Sequence, residues 1–275
     1  MKFLIKTLRY LVFLKNSFFL SKIEKKFILF NERKWKIKNS CNDTKDIILV
    51  DLFNWKPWIY IWSYLTNIMS NRTNTNIKYF YFDLYQLKPK IIYKVLLLKL
   101  IKIFKSFNVS KGIDENDFIF TKEEIQSSIK NFKKLKSNKK KLLNYKKKNI
   151  KIGHLIYDTY LRQKYVVTLD FNDIELKNIF IRAEKIFNET YKYFSRNRVK
   201  AVIPSHLCYI TYGIIVSIAA KKKIDIIKIN SSDRGTARFR LHKINPKILV
   251  DEPPYYNYSK IFNKLKPYQK KNHLI

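Results

Sequence analysis

Residues 199–230 read VKAVIPSHLCYITYGIIVSIAAKKKIDIIKIN, and their pattern decides the fold. The run 199–204 (VKAVIP) is short, β-branched and bounded by polar residues, as a buried strand should be. The run 224–230 (IDIIKIN) has the same character. Between them, 209–221 is apolar almost all round, which predicts a buried helix. The basic residues Lys221, Lys222 and Lys223 at its end suit the negative pole of a helix dipole. A strand, a helix and a strand at this spacing predict parallel pairing through a crossover helix.

The same rhythm precedes it. DIILVD at 46–51 predicts a strand, 57–69 a helix with Pro57 in its first turn, 77–82 (IKYFYF) a second strand and 89–107 an apolar helix. A short strand is expected at 117–120. A helix follows from Thr121, with Glu124 placed to complete a capping box. Asn172 with Glu175 is expected to cap a helix reaching about Arg196. Its apolar residues Leu176, Ile179, Ala183, Ile186, Phe187 and Phe194 keep the helical period. The expected class is therefore α/β, an open, mainly parallel sheet with helices on both faces. No internal repeat is visible.

Composition narrows the possibilities. The 275 residues are 46% hydrophobic, enough for a sizeable core. The glycines Gly112, Gly153, Gly213 and Gly235 are too dispersed to form a Gly-rich phosphate loop. Net charge is +36, from 57 Lys and Arg against 21 Asp and Glu. Two readings of that surplus stay open. One is a phosphate-bearing, nucleic-acid or anionic-lipid partner. The other is AT-rich codon usage, since the excess is mostly Lys and comes with abundant Ile, Asn, Tyr and Phe. The Lys-rich stretch 130–149 has few aromatics for base stacking and reads more readily as a solvated helix than as a polyanion site. Cys41 and Cys208 form no CxxC pair and the histidines are scattered, so no metal and no cofactor are expected and a reducing cytoplasm is the simplest setting. No apolar run reaches the roughly 18 residues of a membrane span.

The domain layout expected is a basic N-terminal segment over 1–40, an α/β domain over 41–250 and a tail or interdomain segment over 251–275 that contains Pro253 and Pro254. On a helix, Lys2, Lys6 and Arg9 share one face, while Leu4, Leu8, Leu11 and Val12 lie largely elsewhere. That predicts a segment lying in an anionic membrane surface, peripheral at the inner face of the cytoplasmic membrane. The plainer alternative is a helix docked on the protein's own core.

Open α/β sheets bind ligands beyond the carboxyl ends of their strands. The loops to inspect begin at Asp51, Asp83, Ser205 and Ser231. Asp51 is a candidate to accept a hydroxyl proton, with Trp55 or Trp58 stacking on a sugar face. The alternative is a strand-end aspartate beside core aromatics. Ser205 is a candidate substrate-binding residue, and His206 after it is a candidate general base, or else a satisfied structural histidine. Ser231, Ser232 and Arg234 are candidates to hold an anionic group, with Gly235 permitting the turn. A capped surface loop would use the same residues. Asp158, Tyr160 and Arg162 suit either a site rim or a hydrogen-bonded buried turn. No local spacing marks a nucleophilic triad.

The segment GHLIYDTYLR (153–162), the helix after it and VIPSHLCYITYG (202–213) resemble the N-terminal part of bacterial surface-polysaccharide (capsule or O-antigen) biosynthesis proteins of the GT-B glycosyltransferase kind. Gly153, Tyr157, Asp158, Tyr160 and Arg162 match, as do Ser205, His206, Tyr209 and Gly213. Where those relatives carry Gly-Asp-Leu-Ile-Tyr-Asp, this chain has His154 in the second position. The resemblance spans roughly residues 46–258. It implies one Rossmann-like half of a GT-B-type fold, the half that holds the acceptor, with the nucleotide-sugar donor bound by a second half. It implies transfer of a sugar from that donor to a glycan or lipid-linked acceptor. No Asp-x-Asp, the metal–diphosphate signature of the other main nucleotide-sugar transferase fold, is present. The rival expectations are a non-catalytic acceptor-binding or assembly subunit and, on charge alone, a basic nucleic-acid-binding protein. The last is disfavoured because no nucleic-acid motif is present.

Overall fold

The computed structural model describes residues 19–35, 46–53, 56–83, 90–135, 137–231 and 239–243. Helix α1 (Lys22–Trp35) is followed by strand β1 (Asp46–Asp51), α2 (Lys56–Thr73), β2 (Asn76–Tyr81), α3 (Lys90–Lys105) and β3 (Val109–Asp114). Then come α4 (Lys122–Lys133), α5 (Lys139–Leu143) and a small hairpin, β4 (Lys146–Lys147) with β5 (Ile150–Lys151). Helices α6 (Gly153–Lys164) and α7 (Ile174–Arg196) lead into β6 (Arg198–Ile203). A π-helical turn (Tyr209–Gly213) opens α8 (Ile214–Lys221), and β7 (Asp225–Ser231) and β8 (Phe239–Lys243) follow.

The main sheet has the order β3-β2-β1-β6-β7-β8, parallel from β3 through β7 and antiparallel at β8. The expected open α/β sheet is thus present, and its topology is Rossmann-like. Winding proceeds outward from β1 in one direction and then restarts at β6 on its other side. The switch between β1 and β6 leaves a crevice at their carboxyl ends.

Both faces of the sheet are covered, and β1 shows how. Ile47 and Leu49 join the core formed with α6, α7 and α8, whereas Ile48 and Val50 join the core formed with α1, α2 and α3. Successive strand side chains point to opposite faces, so burial on both sides requires an unbroken apolar run. DIILVD is such a run. On the α1 side, Ile28 is buried and Phe27 packs edge-on against Tyr60. Residues 22–35 of the N-terminal segment are therefore docked on the protein's own core. Lys2, Lys6 and Arg9 lie outside the described residues.

Several local expectations need correction. The strand expected at 117–120 lies upstream, as β3, and residues 115–117 form a 3-10 turn. β3 is an edge strand, VSKGID, with its outer residues in water, so it carries no continuous apolar run. The Thr121–Glu124 capping box is present, but α4 ends at Lys133 instead of running through the lysines. They fold back as α5 and the β4–β5 hairpin, whose turn residues Lys148 and Asn149 have φ of 48° and 62°. The cap of α7 is Asp173, not Asn172: its side chain accepts from the Glu175 N–H at 2.9 Å. Across α4 and α7, the buried Glu184 carboxylate accepts from Asn131 at 3.2 Å and from the Tyr145 hydroxyl, and pairs with Lys147 at 3.1 Å.

Candidate functional site at the switch point

The crevice brings together residues that lie far apart in sequence. Parallel pairing sets Val50 beside Ile203, so Asp51 at the end of β1 meets the loop that leaves β6. Its Oδ2 accepts from the Ser205 N–H at 3.2 Å and from the Ser205 hydroxyl. The Ser205 Oγ lies 3.0 Å from Nδ1 of His206. The result is a continuous chain, carboxylate to hydroxyl to imidazole. Asp51 and Ser205 are 3% and 1% exposed, while His206 is half-buried and is the member nearest to solvent. Because the Ser205 proton points to Asp51, its lone pairs face Nδ1. That favours the Nδ1–H tautomer and places the basic lone pair on Nε2.

Aromatic rings hold the imidazole. Phe53 meets it edge-on at 5.5 Å, Tyr212 lies at 5.2 Å, and Trp58 is parallel to it at 6.5 Å. Trp58 is itself buried and packs edge-on against Trp62. It therefore orients His206 and offers no open face to a sugar. Trp55, the other candidate platform, lies outside the described residues.

Burial raises the Asp51 carboxyl from its ordinary 3.8 to about 7, opposed by the two hydrogen bonds from Ser205. The folded protein thus binds this proton more tightly than the unfolded chain does. The stabilisation is fully present below about pH 3.8 and is lost as pH rises through about 7. At about 1.4 kcal/mol per pH unit, the window is worth on the order of 4 kcal/mol. Asp51→Asn removes it. Between pH 5 and 8, wild-type melting temperature is expected to fall relative to that of Asp51→Asn, since other titrating groups cancel in the difference. A constant gap would show that Asp51 ionises normally.

An open depression of about 360 Å³ is lined by Asp158, Leu161 and Arg162 of α6 and by Cys208 and Tyr209, which follow His206 in the loop after β6. It exists because α6 and the π-helical turn approach closely. A Cβ on Gly213 would stand 2.9 Å from the Leu207 carbonyl oxygen and 2.3 Å from Leu155 Cδ2, so a side chain there would force both to shift. One residue pair stitches the contact: the Ile210 N–H donates to Thr159 Oγ1 at 2.9 Å. Tyr209 adopts φ of 61°, a left-handed conformation unfavourable for an aromatic residue. π-helical turns and such backbone strain concentrate at functional sites. Burial raises the Asp158 carboxyl above its ordinary range, opposed by His154 one turn earlier. Burial lowers His154 itself, opposed by Asp158.

Of the residues expected at the site, Asp51, Ser205 and His206 form one hydrogen-bonded chain, and Asp158 and Arg162 line the depression. Tyr160 goes elsewhere: its hydroxyl donates to Asp173 at 3.0 Å, pinning the start of α7. Ser231 ends β7 on the same edge of the sheet. Ser232, Arg234 and Gly235 lie outside the described residues. Sequence reasoning missed Cys208 and Tyr209 as cleft residues and Ser205 as the bridge. It also missed the ion pair of Arg182 with Glu115 (Nη2 to Oε2, 2.6 Å), in which Arg182 also donates to the Asp83 carbonyl, tying the loops after β2 and β3 to α7. Among the described residues there is no group of side chains suited to hold a metal ion, and no helix is long and apolar enough to cross a membrane. Compared with protein-family models, with curated proteins and with solved structures, the chain matches none of them.

Proposed function

We propose that the chain is a glycosyltransferase of surface-polysaccharide assembly whose α/β domain holds the acceptor, working at the inner face of the cytoplasmic membrane. A sugar passes from a nucleotide-sugar to a glycan or lipid-linked acceptor. The observation that carries this reading is the Asp51–Ser205–His206 chain at the switch point of the sheet. Glycosyl transfer requires a base that removes a proton from the attacking hydroxyl. Nε2 of His206 takes that proton. The imidazolium formed keeps its Nδ1–H on Ser205, whose hydroxyl points to the Asp51 carboxylate, so the new charge is balanced by a buried anion. Asp158 and Arg162 contribute hydrogen bonds to the acceptor hydroxyls. Basic groups offset the charge that develops on the leaving diphosphate.

The test is release of nucleoside diphosphate from a panel of nucleotide-sugars in the presence of lipid-linked glycans extracted from membranes. Release that depends on the acceptor is expected. No release and no acceptor binding would overturn the proposal. Binding without release would make the chain a non-catalytic acceptor-binding subunit instead.

A further inference from the structure

We propose that the acceptor is an acidic glycan whose chain runs from the depression along α6 to the β4–β5 hairpin, over a track of lysines held on tyrosine rings. This rests on the glycosyltransferase reading and adds the chemical class of its acceptor. The depression begins the track, because one side of it is the loop of His206 and the other is α6. With 12 residues, α6 is about 18 Å long, so the hairpin that precedes it stands farther from the depression than a single sugar reaches.

The lysines converge from three elements. Lys139 opens α5, and its ammonium stands 4.8 Å from the centre of the Tyr157 ring on α6. It reaches that ring because α5 is pressed onto the start of α6: a Cβ on Gly153 would stand 1.7 Å from the Leu142 carbonyl oxygen. At the hairpin, the Tyr191 ring of α7 carries two ammonium groups, Lys148 at 3.8 Å and Lys222 from the end of α8 at 4.9 Å. The rings hold these flexible side chains in place by cation–π attraction. All three lysines are exposed, and none is in an ion pair among the described residues. Two like charges over one ring repel, and an anion bound beside them relieves the repulsion.

Charge and surroundings select the occupant. From Gln126 to Tyr157 the chain has eleven lysines and no acid. Acids on the neighbouring helix α7 are engaged, Glu184 by Lys147 at 3.1 Å and Glu189 by Lys185 at 3.0 Å. Asp158 is the one acid of α6, and it lines the depression together with Arg162. Among the described residues of α5, the hairpin, α6 and α8 there is no exposed large apolar side chain, so a bilayer finds nothing to insert. A single-stranded nucleic acid draws affinity from bases stacked on bare rings. The Tyr191 ring is taken by two ammonium groups and by Phe187, stacked at 5.9 Å. An acidic glycan needs neither feature: its carboxylates pair with the spaced ammonium groups, and the loop of His206 at the head of the track meets its reacting end.

The experiment is calorimetric titration of the full chain with polygalacturonate, with neutral dextran and with duplex DNA, the melting temperature of every variant being measured alongside. The double variant Lys148→Gln/Lys222→Gln is expected to bind polygalacturonate about tenfold or more weakly, and Lys139→Gln to weaken it as well. Lys102→Gln/Lys105→Gln removes the same charge from exposed positions on α3, across the sheet, and is expected to bind as wild type does. No binding of polygalacturonate, an equal loss in the α3 variant, equal affinity for dextran, or tighter binding of duplex DNA that the hairpin variant loses would each overturn the proposal. Diphosphate release with a neutral acceptor, assayed on the hairpin variant, separates the two ideas. Wild-type release without polygalacturonate binding removes the track and leaves transfer standing. No release by a wild type that binds polygalacturonate through the track counts against transfer and leaves the glycan site standing.

Discussion

Ile215→Asp is expected to abolish cooperative folding. Ile215 sits in α8 with 0% exposure, in the core that α6, α7 and α8 form over the sheet. Its neighbours in α8 are buried too, from Ile214 through Ala220, so the helix has no wet face toward which a carboxylate could turn. An ionised carboxylate without a partner in such a place costs several kcal/mol, and protonating it still leaves a polar group unsatisfied. Total stability of a domain is only about 5–15 kcal/mol. One substitution thus removes most or all of it. Ile215→Val is the control, costing about 0.5–1.5 kcal/mol for one lost methylene. Urea denaturation followed by circular dichroism, with gel filtration of the same samples, reads the difference. A soluble Ile215→Asp chain with a wild-type transition midpoint would mean that α8 is not packed between sheet and helices.

The parts of this fold that could be read from the sequence are those buried on both faces. β1, β2 and β6 are largely apolar runs and α8 is apolar apart from Ser217 and its terminal Lys221, so their positions follow from hydrophobic pattern alone. β3 escaped because an edge strand need only bury one side, and Lys111 with Gly112 breaks its run. The β4–β5 hairpin escaped because its turn is closed by Lys148 and Asn149 in left-handed conformations, without the glycine that ordinarily announces such a turn. At the site, the strand-end rule was enough to single out Asp51 and His206. That they communicate through Ser205 depends on register across β1 and β6, which no local pattern encodes. The Tyr160 hydroxyl faces Asp173 while Leu161, the next residue, lines the depression, because successive residues of a helix point about 100° apart.

His206→Ala is expected to lower turnover about a hundredfold or more, the usual cost of losing a positioned acid–base group. The fold should survive. His206 lies in a loop beyond the strand ends, and its losses include the hydrogen bond with Ser205 and the ring contacts with Phe53, Trp58 and Tyr212. Such contacts are worth about 0.5–1.5 kcal/mol each when both rings are aromatic and well placed. Melting temperature is therefore expected to fall modestly. A purely structural histidine predicts the opposite pattern: a large fall in melting temperature, with acceptor binding and turnover unchanged per folded molecule. Measuring all three on one sample decides between them. Ser205→Ala probes the link from the other side, since it leaves both Asp51 and His206 in place and removes the hydroxyl between them. If the chain acts as a unit, the rate of wild type should change near pH 7, where Asp51 titrates, and the Ser205→Ala rate should no longer follow that group. A Ser205→Ala profile that keeps the wild-type inflection would show that the hydroxyl does not couple Asp51 to the rate and that Asp51 serves only to hold the loop after β6 against β1.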